Sequence, residues 1–488
     1  MRGRLNSEDW WAVWVGLLVF VLSLGPLAGV DLLGWGITLQ EWVDPGKALG
    51  PASKQYAGLP AWASLLLTYF FLLAVLSTGA ALMGRDLRRF ILSFTVIFWV
   101  SYLCMFLGHY AYIATTTPKK RAEFGIPWSI GLTGEAGYVL ALLAGLALGN
   151  LFPRAAGALK EGARAEWFVK AAIVILGGAL GVKAALAQGL TSVILFRGFA
   201  AIVEAYLIYW ALVYWIARRF FRFSREWAAP LASGISICGV SAAIATGAAI
   251  RARPVVPVMV SSLVVIFAVV ELLVLPFAAR TFLYREPMVA GAWMGLAVKT
   301  DGAAFASGTV TDALVCAQAE QQEGIVYRPG YMLMATTTVK LFIDVFIGIW
   351  AFVLGLIWVY RIDRRKGEQV RPVEIWHRFP KFVLGYGLTF LVLFLWSLLS
   401  PDKPDPLKLE PAAPFALAIK ESELYRGLFF VMTFFAIGLA ADFRKLWQEG
   451  IGRLAAVYVL SLFGFIIWIG LAISWVFFHG VHPPLAGG

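Results

Sequence analysis

Thirteen stretches of this chain are each long and apolar enough to cross a bilayer, and no other feature restricts its folding as severely. A transmembrane helix needs about 20 mainly apolar residues to cover about 30 Å of hydrocarbon. The windows that qualify are 9–30, 61–83, 89–115, 128–151, 166–187, 190–217, 227–250, 254–279, 287–308, 329–360, 379–399, 424–442 and 453–478. Lipid offers backbone groups no hydrogen-bond partner, so windows of this length read as helices. Composition agrees. Of 488 residues, 60% are hydrophobic and 14% charged, where a soluble protein carries roughly 25% charged residues. The expected fold is an all-α polytopic membrane protein of about 13 transmembrane helices.

The net charge, 41 − 29 = +12, would suggest nucleic-acid binding in a soluble chain. Here its placement decides otherwise. With the amino terminus in the cytoplasm, the clusters Arg85/Arg88/Arg89, Arg154/Lys160/Arg164, Arg218/Arg219/Arg222/Arg225, Arg280/Arg285, Arg361/Arg364/Arg365/Lys366 and Arg444/Lys445 share one side, as the positive-inside rule requires. Lys119/Lys120/Arg121 and Arg251/Arg253 fall on the wrong side, which marks a re-entrant or misdrawn window near each. No nucleic-acid partner is needed. Cys104, Cys238 and Cys316 lack a CxxC or histidine companion, so neither a disulfide framework, a metal site nor a cofactor is expected. The basic start ahead of an apolar run reads as a retained first span, since no small-residue cleavage site follows closely. Polar stretches at 31–60, 361–378 and 400–423 are the segments long enough to leave the bilayer, and the proline-rich last one suits an external loop.

Chemistry concentrates in three windows. The seventh reads LASGISICGVSAAIATGAA, placing Gly234, Ser236, Cys238, Gly239 and Ser241 at its midpoint. Such residues weaken a helix where unsatisfied backbone is most costly. They suit a discontinuous helix whose half-helix amino terminus aims N–H groups and a positive dipole end at an anion. The alternative is a small-residue packing face. The ninth window carries Lys299, Thr300 and Asp301 between glycines; a charge at mid-bilayer costs roughly 2.5–3.5 kcal/mol, so these side chains should face a cavity unless the window ends earlier. In the tenth, Lys340 and Asp344 are four apart on one helical face, as an internal ion pair or as part of substrate and proton handling. Glu135, Glu204 and Glu271 are further acids in apolar surroundings. The glycine-containing segments ILGGALG, in window five, and FFAIGLAADF, in window twelve, hint at an internal repeat.

The segment GISICGVSAAIA at 234–245 resembles the SICGxSA motif of a bacterial inner-membrane family described as sulfate exporters. ALLAGLALGN at 141–150, ILGGALG at 175–181, GAWMG at 291–295 and ATTTVKL at 335–341 support the likeness, which spans residues 128 to about 478 and places Lys340 on the family's lysine. The resemblance implies the fold group of sodium/proton antiporters and bile-acid symporters, with two inverted five-helix repeats, crossed discontinuous helices and an elevator-like core. The chain departs from that pattern: Lys299 and Thr300 stand where relatives carry a His-Asp pair, with Asp301 one place later. Ala303 replaces a glutamine and Ile343 an arginine. Residues 1–125, with about three spans, lie outside the resemblance as an addition to a core at 126–488.

The functional expectation is a secondary transporter of a small anion, sulfate or a related sulfur oxyanion or organic anion. Gly234, Ser236, Cys238, Gly239, Ser241, Lys299 and Thr300 would bind it, while Asp301, Lys340, Asp344 and Glu204 would couple or gate. Protons are favoured over sodium, for which Ser236, Thr300 and Asp301 would be the oxygen donors. An anion channel is the nearest rival, and an accessory subunit or receptor another. A membrane enzyme is disfavoured because HExxH, G-x-S-x-G and Walker A sequences are missing. The expected location is the bacterial inner membrane, with a homodimer left open.

Overall fold

The computed structural model describes residues 7–115, 118–130, 132, 134, 136–186, 188–253, 255–362, 380–399, 414–441 and 452–486. Glu135, the basic residues at 364–366 and 444–445, and most of the polar stretches 361–378 and 400–423 lie outside the described residues. The helices are α1 (Glu8–Ser23), α2 (Ala61–Leu82), α3 (Leu87–Gly108), α4 (Ala136–Leu151), α5 (Ala165–Ala185), α6 (Gln188–Arg219), α7 (Arg225–Ser236), α8 (Val240–Ala249), α9 (Val255–Phe282), α10 (Pro287–Ala297), α11 (Asp301–Glu323), α12 (Tyr331–Ile362), α13 (Phe382–Leu399), α14 (Pro414–Ala440) and α15 (Gly452–Phe478). A small antiparallel ribbon, Ile37–Leu39 with Leu49–Pro51, interrupts the helical pattern.

Among the described residues, nine helices are long and apolar enough to cross a membrane, or ten if Ala136–Leu151 and Pro153–Leu159, bent by 117°, count as one span. The expected thirteen are not reached, because windows seven and nine are each split and α1 has only 16 residues. Large apolar side chains such as Phe196, Phe282, Trp62 and Leu92 lie exposed on the outer helix faces, an arrangement that only lipid contact makes tolerable.

The two splits are hairpins rather than through-going broken helices. In window seven, Ser233 on α7 accepts a hydrogen bond from Thr246 on α8 at 2.7 Å. Glu226 at the start of α7 accepts both the Arg253 N–H and its guanidinium, at 2.7 and 3.0 Å, just past the end of α8. The two legs therefore run antiparallel and their outer ends meet. In window nine, Thr336 donates to the Gly291 carbonyl at 2.6 Å while also packing against Gly308. In one straight helix those glycines would be about 25 Å apart. Arg285, ahead of α10, pairs with Glu323 at the end of α11, which closes the second hairpin at its base. Between the hairpins runs α9, 28 residues or about 42 Å of helix at 1.5 Å per residue. The hairpins consequently enter from opposite faces.

This geometry revises the side assignments. Because α7–α8 turns back, Arg251/Arg253 share the face of Arg218–Arg225, whereas Arg280/Arg285 move to the opposite face. The seventh window was the misdrawn one. Lys120 remains on that opposite face, paired with Glu41 at 2.8 Å. The glycines of ILGGALG are helix-interior contacts, not turns: Gly177 and Gly181 pack against the α13 backbone, as Gly438 on α14 packs against α4.

Helix α5 is buried along nearly its whole length, enclosed by α1, α13 and α14. Gly16 on α1 meets Val174 on α5 so closely that a Cβ would lie 2.6 Å from its Cβ. Helix α1 thus packs directly on α5. Elsewhere Asp312, buried on α11, accepts the backbone N–H groups of Gly330, Met332 and Leu333 at 2.6, 3.0 and 3.4 Å. It caps the start of α12, whose first donors have no intrahelical partner. Asp312→Ala should destabilise the protein by about 2 kcal/mol, read as a lowered unfolding temperature in detergent.

Candidate functional site

The hairpin tips meet inside the protein. At the first tip Gly239 has φ +67°, ψ −111°, a conformation that side chains disfavour, and a Cβ there would stand 3.0 Å from Thr300 Cγ2 and 3.3 Å from the Lys299 carbonyl. Tip touches tip through backbone. The legs α7 and α10 present their carboxyl ends here, at Ile237 and Val298, while α8 and α11 present their amino ends. Carbonyl oxygens and N–H groups thus converge from two helix dipoles of each sense.

Lys340, buried on α12, ties the tips together. Its ammonium donates to Ile237 O at 2.9 Å, Lys299 O at 3.2 Å and Val298 O at 3.4 Å. Its ion pair is with Asp301 at 3.8 Å; the same-face partner Asp344, expected from spacing, is not the carboxylate it engages. Thr300 caps α11 by accepting the Ala303 N–H at 3.2 Å. The ligand atoms of Cys238, Asp301 and Asp344 lie within 4.8 Å of one another, all buried. Asp344 is within side-chain hydrogen-bond reach of Asp301, yet no donor group serves either of its oxygens and the hydroxyl of Ser236 has no partner among the described residues, so this cluster holds unused polar capacity where burial makes that costly.

Not every expected residue points here. Lys299 contributes its carbonyl to the tip, but its ammonium turns away, donating to Leu296 O and lying 4.5 Å from the Tyr209 ring centroid. Its backbone N–H goes to Glu271 at 2.9 Å, which also accepts the Tyr458 hydroxyl at 3.3 Å. Glu204 belongs to this same back side, at the start of a π-helical turn, Glu204–Tyr209. Gly234 packs on Val260 of α9 as a spacing residue, and Ser241 sits in the first turn of α8.

A cavity of about 300 Å³ opens beside the tips, lined by Val240 and by Thr300 and Gly302, the first residues of α8 and the start of α11. Its other wall brings Glu8 of α1, Arg164 and Glu166. Lys170, one turn into α5 from Glu166, is held by Asp9 at 2.7 Å and Glu166 at 3.3 Å. In sequence Arg164 figured as part of a basic cluster and the other wall residues did not stand out, although a lone lysine four residues inside an apolar window was a visible signal.

Architecture and site together define a polytopic helical membrane protein with two opposed re-entrant hairpins whose tips enclose buried charge. Residues 126–457 match the family described as "Conserved hypothetical protein 698", and the chain belongs to it. It is 42% identical to the UPF0324 membrane protein of Nitrosomonas europaea over 99% of this chain and 98% of that one. An uncharacterized protein of Archaeoglobus fulgidus is 51% identical over 32% of this chain and 91% of its own length. A UPF0324 membrane protein of Nitratidesulfovibrio vulgaris is 27% identical over 84% of this chain and 63% of the relative. No solved structure matches the chain.

Proposed function

We propose that the protein is a proton-coupled secondary transporter of a small anion, sulfate or a related sulfur oxyanion, in the bacterial inner membrane with its amino terminus in the cytoplasm. The observation that carries this reading is the cavity lined by the amino ends of both α8 and α11. Helix amino ends offer unpaired N–H groups and partial positive charge to an anion. About 300 Å³ sits at the lower limit of small-molecule sites, enough for a tetrahedral oxyanion with some of its water. The cavity lies where the hairpin unit meets α5 and α14, which Gly302 of α11 faces at Val169 and Ile437, a boundary suited to elevator-like movement of one against the other.

Coupling falls to the cluster behind the cavity. Lys340 with Asp301 and Asp344 carries +1 − 2 = −1 when both acids are ionised, so one added cation neutralises it. A proton fits better than sodium. The break carbonyls that could ligate sodium already accept from Lys340, and Cys238 contributes a soft sulfur where a hard cation takes oxygen.

The test is sulfate flux into liposomes holding the purified protein, with pH and sodium gradients imposed separately, for wild type and for Asp301→Asn, Asp344→Asn and Glu204→Gln. Asp344→Asn should abolish the response to the pH gradient while retaining anion exchange. An intact pH response in all three variants rejects this coupling set. A wild type indifferent to both gradients is a passive channel, and one that needs a further protein to move solute is an accessory subunit.

A further inference from the structure

We propose that the acidic first turn of α1 is a specificity element for the anion cavity: Glu8 in its wall and Asp9 on Lys170 keep the affinity for dianions low. The inference rests on the transporter reading above and adds residues that lie outside 126–457, the segment matching the family. Acidic residues in a first helical turn are ordinary complements to the helix dipole. These two do more than that. Asp9 Oδ1 reaches Lys170 Nζ on α5 at 2.7 Å, and its other oxygen accepts the Lys381 N–H at 3.5 Å. Glu8 turns to the other side, into the cavity wall, with Arg85 at 3.9 Å.

The charges at this mouth are Glu8, Asp9 and Glu166 against Arg164 and Lys170, and with their partners Arg85, Glu161 and Lys381 the sum is 4 − 4 = 0. Both cations are engaged by acids, Arg164 by Glu161 at 2.7 Å and Lys170 as described. An anion bound against the amino ends of α8 and α11 therefore approaches through a rim whose cations are offset by acids and give it no net attraction. Removing either acid makes the rim one charge more positive, and removing Asp9 also leaves Lys170 with Glu166 as its ion-pair partner. The gain grows with the charge of the anion and fades as salt screens it. Close packing of α1 on α5 through Gly16 fixes these acids in place, so the added helix completes the site wall.

The experiment measures initial uptake of sulfate and thiosulfate by the full-length protein in liposomes, at low and high ionic strength. Asp9→Asn should lower KM about fivefold in low salt, with less than about twofold left near 1 M salt, where the screening length is about 3 Å. Glu8→Gln, whose partner Arg85 is half-exposed, should act in the same direction and carries the test if Asp9→Asn does not fold. Lys170→Met should raise KM. A KM unmoved in both acid variants, or moved equally at both salt concentrations, overturns the inference while wild-type uptake remains saturable. A wild type without saturable uptake of either anion overturns the transporter reading and this inference together.

Discussion

Lys340→Met is expected to cost about 3–5 kcal/mol of stability, the range for removing one partner of a buried charge pair, and, on the transporter reading proposed above, to abolish transport. The ammonium is fully buried and serves three carbonyls from two hairpin tips and the Asp301 carboxylate. Methionine fills the same volume but donates nothing, so the carbonyls at the ends of α7 and α10 lose their donor and Asp301 is left buried beside Asp344. Unfolding temperature in detergent reads the first loss, and sulfate flux the second. Lys340→Met combined with Asp301→Asn should recover part of the stability, because the stranded charge is gone, yet none of the transport. A single variant as stable as wild type would show that the tips hold together without this tie.

The helical windows were legible because a span of lipid-facing helix has to be apolar along some 20 residues, and that requirement is written in consecutive letters. Their direction was not. Residues 225–249 hold enough apolar length for one crossing or for two half-depth legs, and hydropathy is the same for both. The mis-sided Arg251/Arg253 pair was the sequence's signal of the turn, and it pointed to the right window. Gly239 and its small neighbours marked the interruption for the same reason, since a backbone that must turn and touch another backbone excludes large side chains. Side-chain partners were less accessible. Lys340 and Asp344 share a helix face, but the strength of a buried ion pair depends on what the neighbouring hairpin brings, and Asp301 arrives closer. Lys299 and Asp301 were two apart in sequence, yet that step around a nonhelical tip sends their side chains to opposite sides of it. The acids of α1 were invisible as site residues, because the contact between Asp9 and Lys170 closes a loop of more than a hundred and fifty residues.

Gly239→Ala should remove activity and destabilise the protein by about 3 kcal/mol, combining the cost of a positive φ with overpacking. The two contributions have separate origins. At φ +67°, ψ −111° any Cβ collides with its own backbone. The added methyl would also stand 2.7 Å from Val264 Cγ1, 3.0 Å from Thr300 Cγ2 and 3.3 Å from the Lys299 carbonyl. Val264 belongs to the long α9 span and Lys299 O is already fixed by Lys340, so neither neighbour yields easily. The relief open to the chain is to draw the first tip away from the second, which lengthens the Lys340 bonds to one side and misplaces the amino ends of α8 and α11 around the cavity. Gly234→Ala is the matched comparison, since Gly234 meets the Val260 side chain at 2.8 Å without positive φ. It should cost about 1 kcal/mol and leave sulfate flux measurable. Equal losses in the two variants, followed by unfolding temperature and flux together, would mean that the tip-to-tip contact has no special part in transport.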